Sequence, residues 1–376
     1  MIPQQKIKKI LENYNKRDLT IGTLGGHSAL DICRGAKLHG FRTVAVCQKG
    51  REKTYQKYYK TRDNGNGIID EIILVDNFKD IVKKEVQEKL RKLNTIFIHN
   101  RYFWVYCNFK DIENKFSIPI FGTRDMVKLE ERDVPKNQYY LLEKAGIRIP
   151  KIFKTAEDID RPVIVKVAEA ARGYERAFFF ADSYETYKKN SQHLLKKKTI
   201  TPEALKKAVI EEYALGAQVN FNYFYSPLTN ELELMGTDTR RQTNLDGFLR
   251  LPATDQLQAL KVIKPKLIET GHIAVTTKES LLEKIFDIGE KFVAATKKLH
   301  KPGIIGPFAL QGAVVADEGK EDIVIFDVSM RIPGSPGTMF TPYSAYLYHK
   351  PVSYGERIAM EIKKAAEDNK LGLICT

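Results

Sequence analysis

The sequence predicts a mixed chain: an N-terminal α/β unit built on a doubly wound parallel sheet, followed by two β-rich α+β lobes. Three observations carry that expectation. Residues 19–24 form a short apolar run into Gly25-Gly26-His27-Ser28, followed by a helical stretch at 29–38 and a second apolar run at 43–47. Strand, glycine turn, helix, strand is how a parallel sheet begins. Further on, Pro162-Val163-Ile164-Val165-Lys166 is a dense β-branched segment that ends in a lysine, and 208–213 ends in Glu211-Glu212-Tyr213. Finally, 219–225, 231–238, 308–315 and 323–328 read as long strands.

The remaining elements follow in order. Residues 1–15 predict an amphipathic helix with Ile7, Ile10, Leu11 and Tyr14 on one stripe. The first unit continues with strands at 72–75, 95–98 and 118–121 and a helix near 81–93. Ligands of such sheets gather at the carboxyl ends of the strands, where 25–28, 99–102 and 122–124 fall. Three loops converging there make a site, whereas Gly25-Gly26 alone fits a tight turn equally well. A short helix at 137–145 and Arg148-Ile149-Pro150 open the second part, which adds a strand at 177–181 and a basic helix at 183–197. Helices at 278–299 and 353–367 belong to the third. The expected divisions are 1–135, 136–215 and 216–376.

Composition narrows the function classes. The 376 residues are 43% hydrophobic and 29% charged, which supplies both a core and a solvated surface and excludes disorder. No apolar run approaches the roughly 18 residues of a membrane helix, and the N-terminus lacks the apolar block of a signal peptide. Cys33, Cys47, Cys107 and Cys375 are scattered without a CxxC pair, so a zinc ribbon and a disulfide scaffold are excluded and a cytoplasmic protein is expected. The net charge of +14 suits anionic partners. The lysine clusters at 188–189, 196–198 and 206–207 read as a solvated helical face, with no nucleic-acid-binding signature beside them.

The chemistry rests on an ordered set. Lys166 precedes a small-residue loop, 168–174, that contains Arg172; a lysine there neutralises phosphates while loop amides wrap them. Glu211, Glu212, Tyr213 and Gln218 offer carboxylates, hinge amides and a polar side chain suited to an adenine edge and a ribose. Gln311 and Asp327 sit on neighbouring strands and offer the oxygen ligands that Mg²⁺ prefers. Asp327, Ser329 and Arg331 alternate, so they share one face of a strand. Singly, each has a plainer account: a snorkelling lysine, a solvated acid pair, a core amide, a turn-capping acid. Together and in this order they resemble the layout of the ATP-grasp superfamily, whose two lobes clamp ATP.

A more specific likeness covers nearly the whole chain. Residues 23–30 (Thr-Leu-Gly-Gly-His-Ser-Ala-Leu), Gly35-Ala36-Lys37, 145–150, 223–226, 244–247, Arg250-Leu251-Pro252-Ala253, 279–282, Gly306-Pro307-Phe308 and 357–362 carry it. The chain resembles the formate-dependent 5-formaminoimidazole-4-carboxamide ribonucleotide (FAICAR) synthetases of archaeal purine biosynthesis. The resemblance implies an ATP-dependent ligase, in which formate takes the γ-phosphoryl group and the formyl phosphate is captured by the 5-amino group of AICAR. It further implies that His27, Ser28 and Asn244 hold AICAR, that Gln311 and Asp327 hold Mg²⁺ or Mn²⁺, and that Lys166 and Arg331 stabilise the transferring phosphoryl group. A homo-oligomer, trimer or hexamer, is implied as well.

Departures gather at the ligand loops. The phosphate loop is poorer in glycine than the family's, and Asn100-Arg101 stands where the family has Gly-Ser, which places Arg101 beside the substrate. Gln242 replaces an acid, and Asp327 stands where the family has Glu. These changes keep open a divergent ATP-grasp ligase that joins another carboxylate and amine. A non-catalytic binder of polyanions is the third reading.

Overall fold

The structure is a computed structural model that describes residues 1–132, 134–167, 178–263, 265–317 and 319–376. The expected phosphate loop, with Arg172, lies outside the described residues. Three sheets organise the rest. The first holds β1 (Thr20–Leu24), β2 (Arg42–Gln48), β3 (Glu71–Val75), β4 (Thr95–Ile98) and β5 (Ile120–Phe121), all parallel in the order β3-β2-β1-β4-β5. All five residues of β1 are buried, as a strand covered on both faces must be. The chain leaves β1 toward β2 and β3, then crosses to β4, so strand direction of travel reverses between β1 and β4. That switch point opens a crevice at the carboxyl ends of both strands.

The second sheet is antiparallel: β6 (Ile152–Phe153), β7 (Val163–Lys166), β8 (Phe178–Ala181) and β9 (Val209–Glu212), in the order β6-β9-β7-β8. The helix Tyr184–Lys196, capped by the Ser183 hydroxyl on the Thr186 amide, packs Leu194 against Val163, Val165 and Phe179. The basic residues of this helix point to water, as the charge pattern predicts.

The third sheet is also antiparallel, in the order β12-β11-β10-β13-β14. Its strands are β10 (Ala217–Ser226), β11 (Glu231–Asn244), β12 (Leu267–Ala274), β13 (Gly306–Asp317) and β14 (Lys320–Ser329). One face is apolar: Tyr223 stacks on Phe308 and Phe308 on Phe292 of the helix Leu282–Leu299, with centroids 5.1 and 5.5 Å apart. The other face is polar and turns toward the first sheet. β14 is an edge strand, and the segment before β6 covers it: the Val328 amide donates to Gln138 Oε1 (2.7 Å) and the Met330 amide to Glu130 Oε1 (2.6 Å).

The last long helix, Tyr354–Glu367, returns to the first sheet instead of staying with the segment that precedes it. Ile358, Ile362 and Ala365 share a core with Ile7, Leu11 and Ile32, because their apolar stripe matches that of the helix Ala29–Leu38. The two helices cross with backbones in contact; a Cβ on Gly35 would lie 2.0 Å from the Gly355 carbonyl carbon. Arg357 also reaches β11, with Nε and an Nη donating to the Glu233 carboxylate at 2.8 and 2.7 Å. No helix among the described residues is long and apolar enough to cross a membrane.

Candidate active site

The polar face of the third sheet sets out its groups by register. Asp238 of β11 pairs with Asn220 of β10, Asn220 with Gln311 of β13, and Gln311 with Asp327 of β14. Directly opposed residues of an antiparallel ladder point to the same side, so these four form one row across four strands. Ser329 stands in the next row, opposite Ala309, where its hydroxyl accepts from Gln311 Nε2 at 3.0 Å. The Gln311 amide oxygen accepts from Arg240. Gln218 lies on the same face nearer the start of β10, opposite Ala313, and is exposed.

The switch point of the parallel sheet faces this row. His27 comes from the loop after β1, and Arg101 opens the helix Arg101–Tyr106 after β4, where the Asn100 side chain caps the Tyr102 and Phe103 amides. Both line one cavity with Asn222, Gln311 and Arg331. Burial, reinforced by the Arg331 and Arg101 guanidiniums, pulls the His27 imidazole down to about 3, so it meets a ligand uncharged. Ser28 has φ +67° and donates to the Pro333 carbonyl at 3.0 Å, tying the glycine turn to the loop after β14. Arg331 lies two residues beyond β14, not on it as the alternation predicts, yet it still faces the cavity beside Glu130 (3.5 Å). On the far wall His272 of β12 is held between Asp238 and Glu269. Burial alone would lower it, but the bonds to both carboxylates outweigh burial and take it up to about 9.

Beyond Asp327 the row meets the second sheet. β14 carries a bulge there: Gln311 faces Asp327 while Gly312 faces Ile325, which leaves Phe326 as the extra residue. Its carbonyl accepts from Lys166 Nζ at 3.0 Å, and its ring lies 5.4 Å from the same ammonium. Lys166, 5% exposed, is ion-paired with Glu211, 2% exposed, whose other oxygen accepts from Tyr139 at 2.7 Å. Burial lowers the lysine and Glu211 opposes that shift. Arg132 Nη2 stands 3.3 Å from Asp327 Oδ1. Burial is the largest single influence and would lower Arg132 as well, but Asp327, Tyr139 and Glu211 together outweigh it and raise it.

The structure thus brings Lys166, Glu211, Asp327, Gln311, Arg331, Arg101 and His27 around one polar surface. Other expectations need adjusting. Glu211 is spent on Lys166 and Tyr139, so its carboxylate is not presented to an adenine edge. Glu212 instead bonds Arg161 (3.3 Å) and the Lys151 amide (3.2 Å) at the surface, with Tyr213 just past the strand. Asn244 closes β11 with φ +41° and accepts from the Lys266 amide, and it is not among the residues that line the cavity. Asn220, Asn222, Asp238, Glu269, His272, Glu130, Arg132 and Tyr139 join the site without being expected from the sequence. A signal existed for two of them: Gln218-Val219-Asn220-Phe221-Asn222-Tyr223 alternates polar and apolar residue by residue.

Gln311 and Asp327 carry the amide and carboxylate oxygens that a hard divalent cation takes readily, and here those oxygens face the Arg240 and Arg132 guanidiniums, which a cation would displace. An open parallel sheet, joined to an antiparallel lobe bearing a lysine and a second bearing that oxygen row, defines an ATP-grasp enzyme. The comparisons narrow this class. Residues 186–376 match a domain of unknown function (DUF1297), and residues 21–153 a protein of unknown function (DUF1246). A protein of Methanocaldococcus jannaschii, a 5-formaminoimidazole-4-carboxamide-1-(beta)-D-ribofuranosyl 5'-monophosphate synthetase by name, is 42% identical over 369 residues, 98% of each chain. The protein of the same name from Methanopyrus kandleri is 38% identical over 377 residues, the full length of both. The crystal structure of the IMP biosynthesis protein PurP from Thermococcus kodakaraensis superposes with TM-score 0.70 at 25% identity, over 95% of this chain and all of that one. The chain belongs to this family of synthetases.

Proposed function

We propose that the chain is an ATP- and formate-dependent ligase that formylates AICAR to FAICAR through formyl phosphate, releasing ADP and phosphate. The observation that carries the reading is the row Asn220–Gln311–Asp327, which runs from the cavity at the parallel sheet to Lys166 on the facing lobe. Formate oxygen attacks the γ-phosphorus of ATP as the bond to the β-phosphate oxygen breaks. The 5-amino nitrogen of AICAR then bonds the formyl carbon, losing a proton as phosphate leaves. Lys166 and Arg331 offer fixed positive charge to the phosphoryl group in flight. Gln311 and Asp327 would hold Mg²⁺ or Mn²⁺, which supplies further neutralisation of phosphate charge. His27 and Arg101, at the other end, suit the nucleotide: an uncharged ring for its base or sugar and a guanidinium for its phosphate. ADP release with ATP, Mg²⁺, formate and AICAR, each omitted in turn, tests the reading. Turnover that persists without AICAR, or that requires another acceptor, overturns it.

Two further points belong to the same reading. The hairpin between β11 and β12 carries the helices Leu245–Phe248 and Ala253–Ala259, neither with a buried residue, while Leu257 is 67% and Val262 85% exposed. Apolar groups gathered on a projecting hairpin favour self-association as a trimer or hexamer, which light scattering measures. The four cysteines are all free and buried, which suits the reducing cytoplasm.

A further inference from the structure

Asn222 sits one row from Asp238–Asn220–Gln311–Asp327, opposite Ala309, and is 1% exposed while lining the cavity. Its amide nitrogen donates to Asp238 Oδ1 at 2.6 Å and to the Asn220 carbonyl at 3.2 Å. Both partners only accept, so turning the amide over would set oxygen against oxygen twice. Asp238 is itself held in place, because its second oxygen takes Asn220 Nδ2 at 2.9 Å and His272. The Asn222 oxygen is therefore fixed as an acceptor, and among the described residues nothing donates to it. A buried amide oxygen left unpaired is costly, and a ligand N–H or O–H would remove that cost.

We infer that Asn222 Oδ1 accepts a hydrogen bond from the exocyclic carboxamide N–H₂ of the acceptor nucleotide and so selects a carboxamide over the matching carboxylate; the inference rests on the function proposed above. The 5-amino nitrogen must face the formyl phosphate, and Asn222 stands two strands and one row away from Asp327, so the carboxamide on the neighbouring ring carbon is the donor that turns toward it. A carboxylate in that position would face the amide oxygen with another oxygen in a buried site. The ring's amide, unlike its ribose phosphate, is thus read by a neutral side chain whose orientation is enforced by its neighbours.

The test compares AICAR with its 4-carboxylate analogue in calorimetric binding and in kcat/KM, on the whole protein. The native chain should favour the carboxamide by at least about 100-fold, as sites built around a specific hydrogen bond do. Asn222→Leu should cut that preference by about tenfold or more, with KM for ATP changed less than about threefold. Asp238→Asn should also weaken it, since its new amide can donate to Asn222 Oδ1 and lets the side chain turn. Should N222L fail to fold, Asn222→Ser gives the same comparison. An unchanged preference in the variants, or a native protein that does not discriminate, overturns the inference while leaving AICAR as substrate. A native protein that neither binds nor formylates AICAR strikes the proposed function itself, and this inference with it.

Discussion

The parallel sheet and the large antiparallel sheet furnish the same cavity by different means. The parallel sheet contributes from beyond its strands: His27 rides on the turn after β1 and Arg101 opens the helix after β4. The antiparallel sheet contributes from within them, with Asp238, Asn220 and Gln311 fixed by ladder register. A turn residue is placed by whatever the turn packs against, and Ser28 must be tied to Pro333 to hold it. A ladder residue is placed by backbone bonds on both sides. Ladder residues are thus held with the smaller positional error, and the turn residues depend on the contacts that anchor their turns.

Substitutions can break or sharpen this contrast. The largest effect is expected where the ladder meets the second lobe. Lys166→Met leaves Glu211 buried without its ion, at about 3–5 kcal/mol of stability by denaturant titration. The double variant K166M/E211Q should recover most of that stability and none of the turnover; recovered turnover would reduce Lys166 to a structural part. Asp327→Asn keeps size and register, so Tm should move little while kcat falls on the order of 10²–10³-fold, the scale of losing one transition-state contact. A protein melting several degrees lower with kcat intact would place Asp327 with the scaffold. Gly35→Ala wedges the helix crossing that carries the turn at Gly25–Ser28, and should destabilise by about 1–3 kcal/mol. Its KM for ATP should stay as in the native protein if turn and ladder are separately mounted.

The smallest effect has opposite signs on the two sides. His272, on the ladder, is raised from its ordinary 6.5 to about 9, so the native state holds its proton more tightly than the unfolded chain. Its contribution is complete below pH 6.5 and is lost as pH rises through 9. His27, on the turn, is lowered to about 3; its contribution is complete above pH 6.5 and is lost as pH falls toward 3. Stability measured across pH should therefore lose its alkaline decline in His272→Asn and keep its acid one. An alkaline limb unchanged in that variant would place the carboxylate clamp elsewhere.

Much of this was legible in the sequence, for identifiable reasons. Gly25-Gly26 between an apolar run and a helix exposes the switch-point turn. Lys166 at the end of a β-branched run, and Gln311 and Asp327 each embedded in apolar strands, stand out as polar groups in costly places. Arg132 and Glu130 stayed hidden because they lie on a connecting segment with no periodicity to violate, and Tyr139 because an aromatic residue in a short helix reads as core. Asp238 and His272 were hidden by register: only the pairing of β11 with β10 and β12 shows that they meet. The engagement of Glu211 by Lys166 was unreadable too, since both are typical strand-end charges until β7 and β9 are laid side by side.

The bulge at Phe326 carries a consequence for how β14 tolerates length changes. Removing that residue would leave Gln311 opposite position 327 and Gly312 opposite 325, so every cross-strand partner would survive the shortening. What would vanish is the kinked carbonyl and the ring against which the neighbouring lobe rests its ammonium. One surplus residue thus works as a latch between lobes, and a chain without it would fold to the same ladder with its lysine adrift.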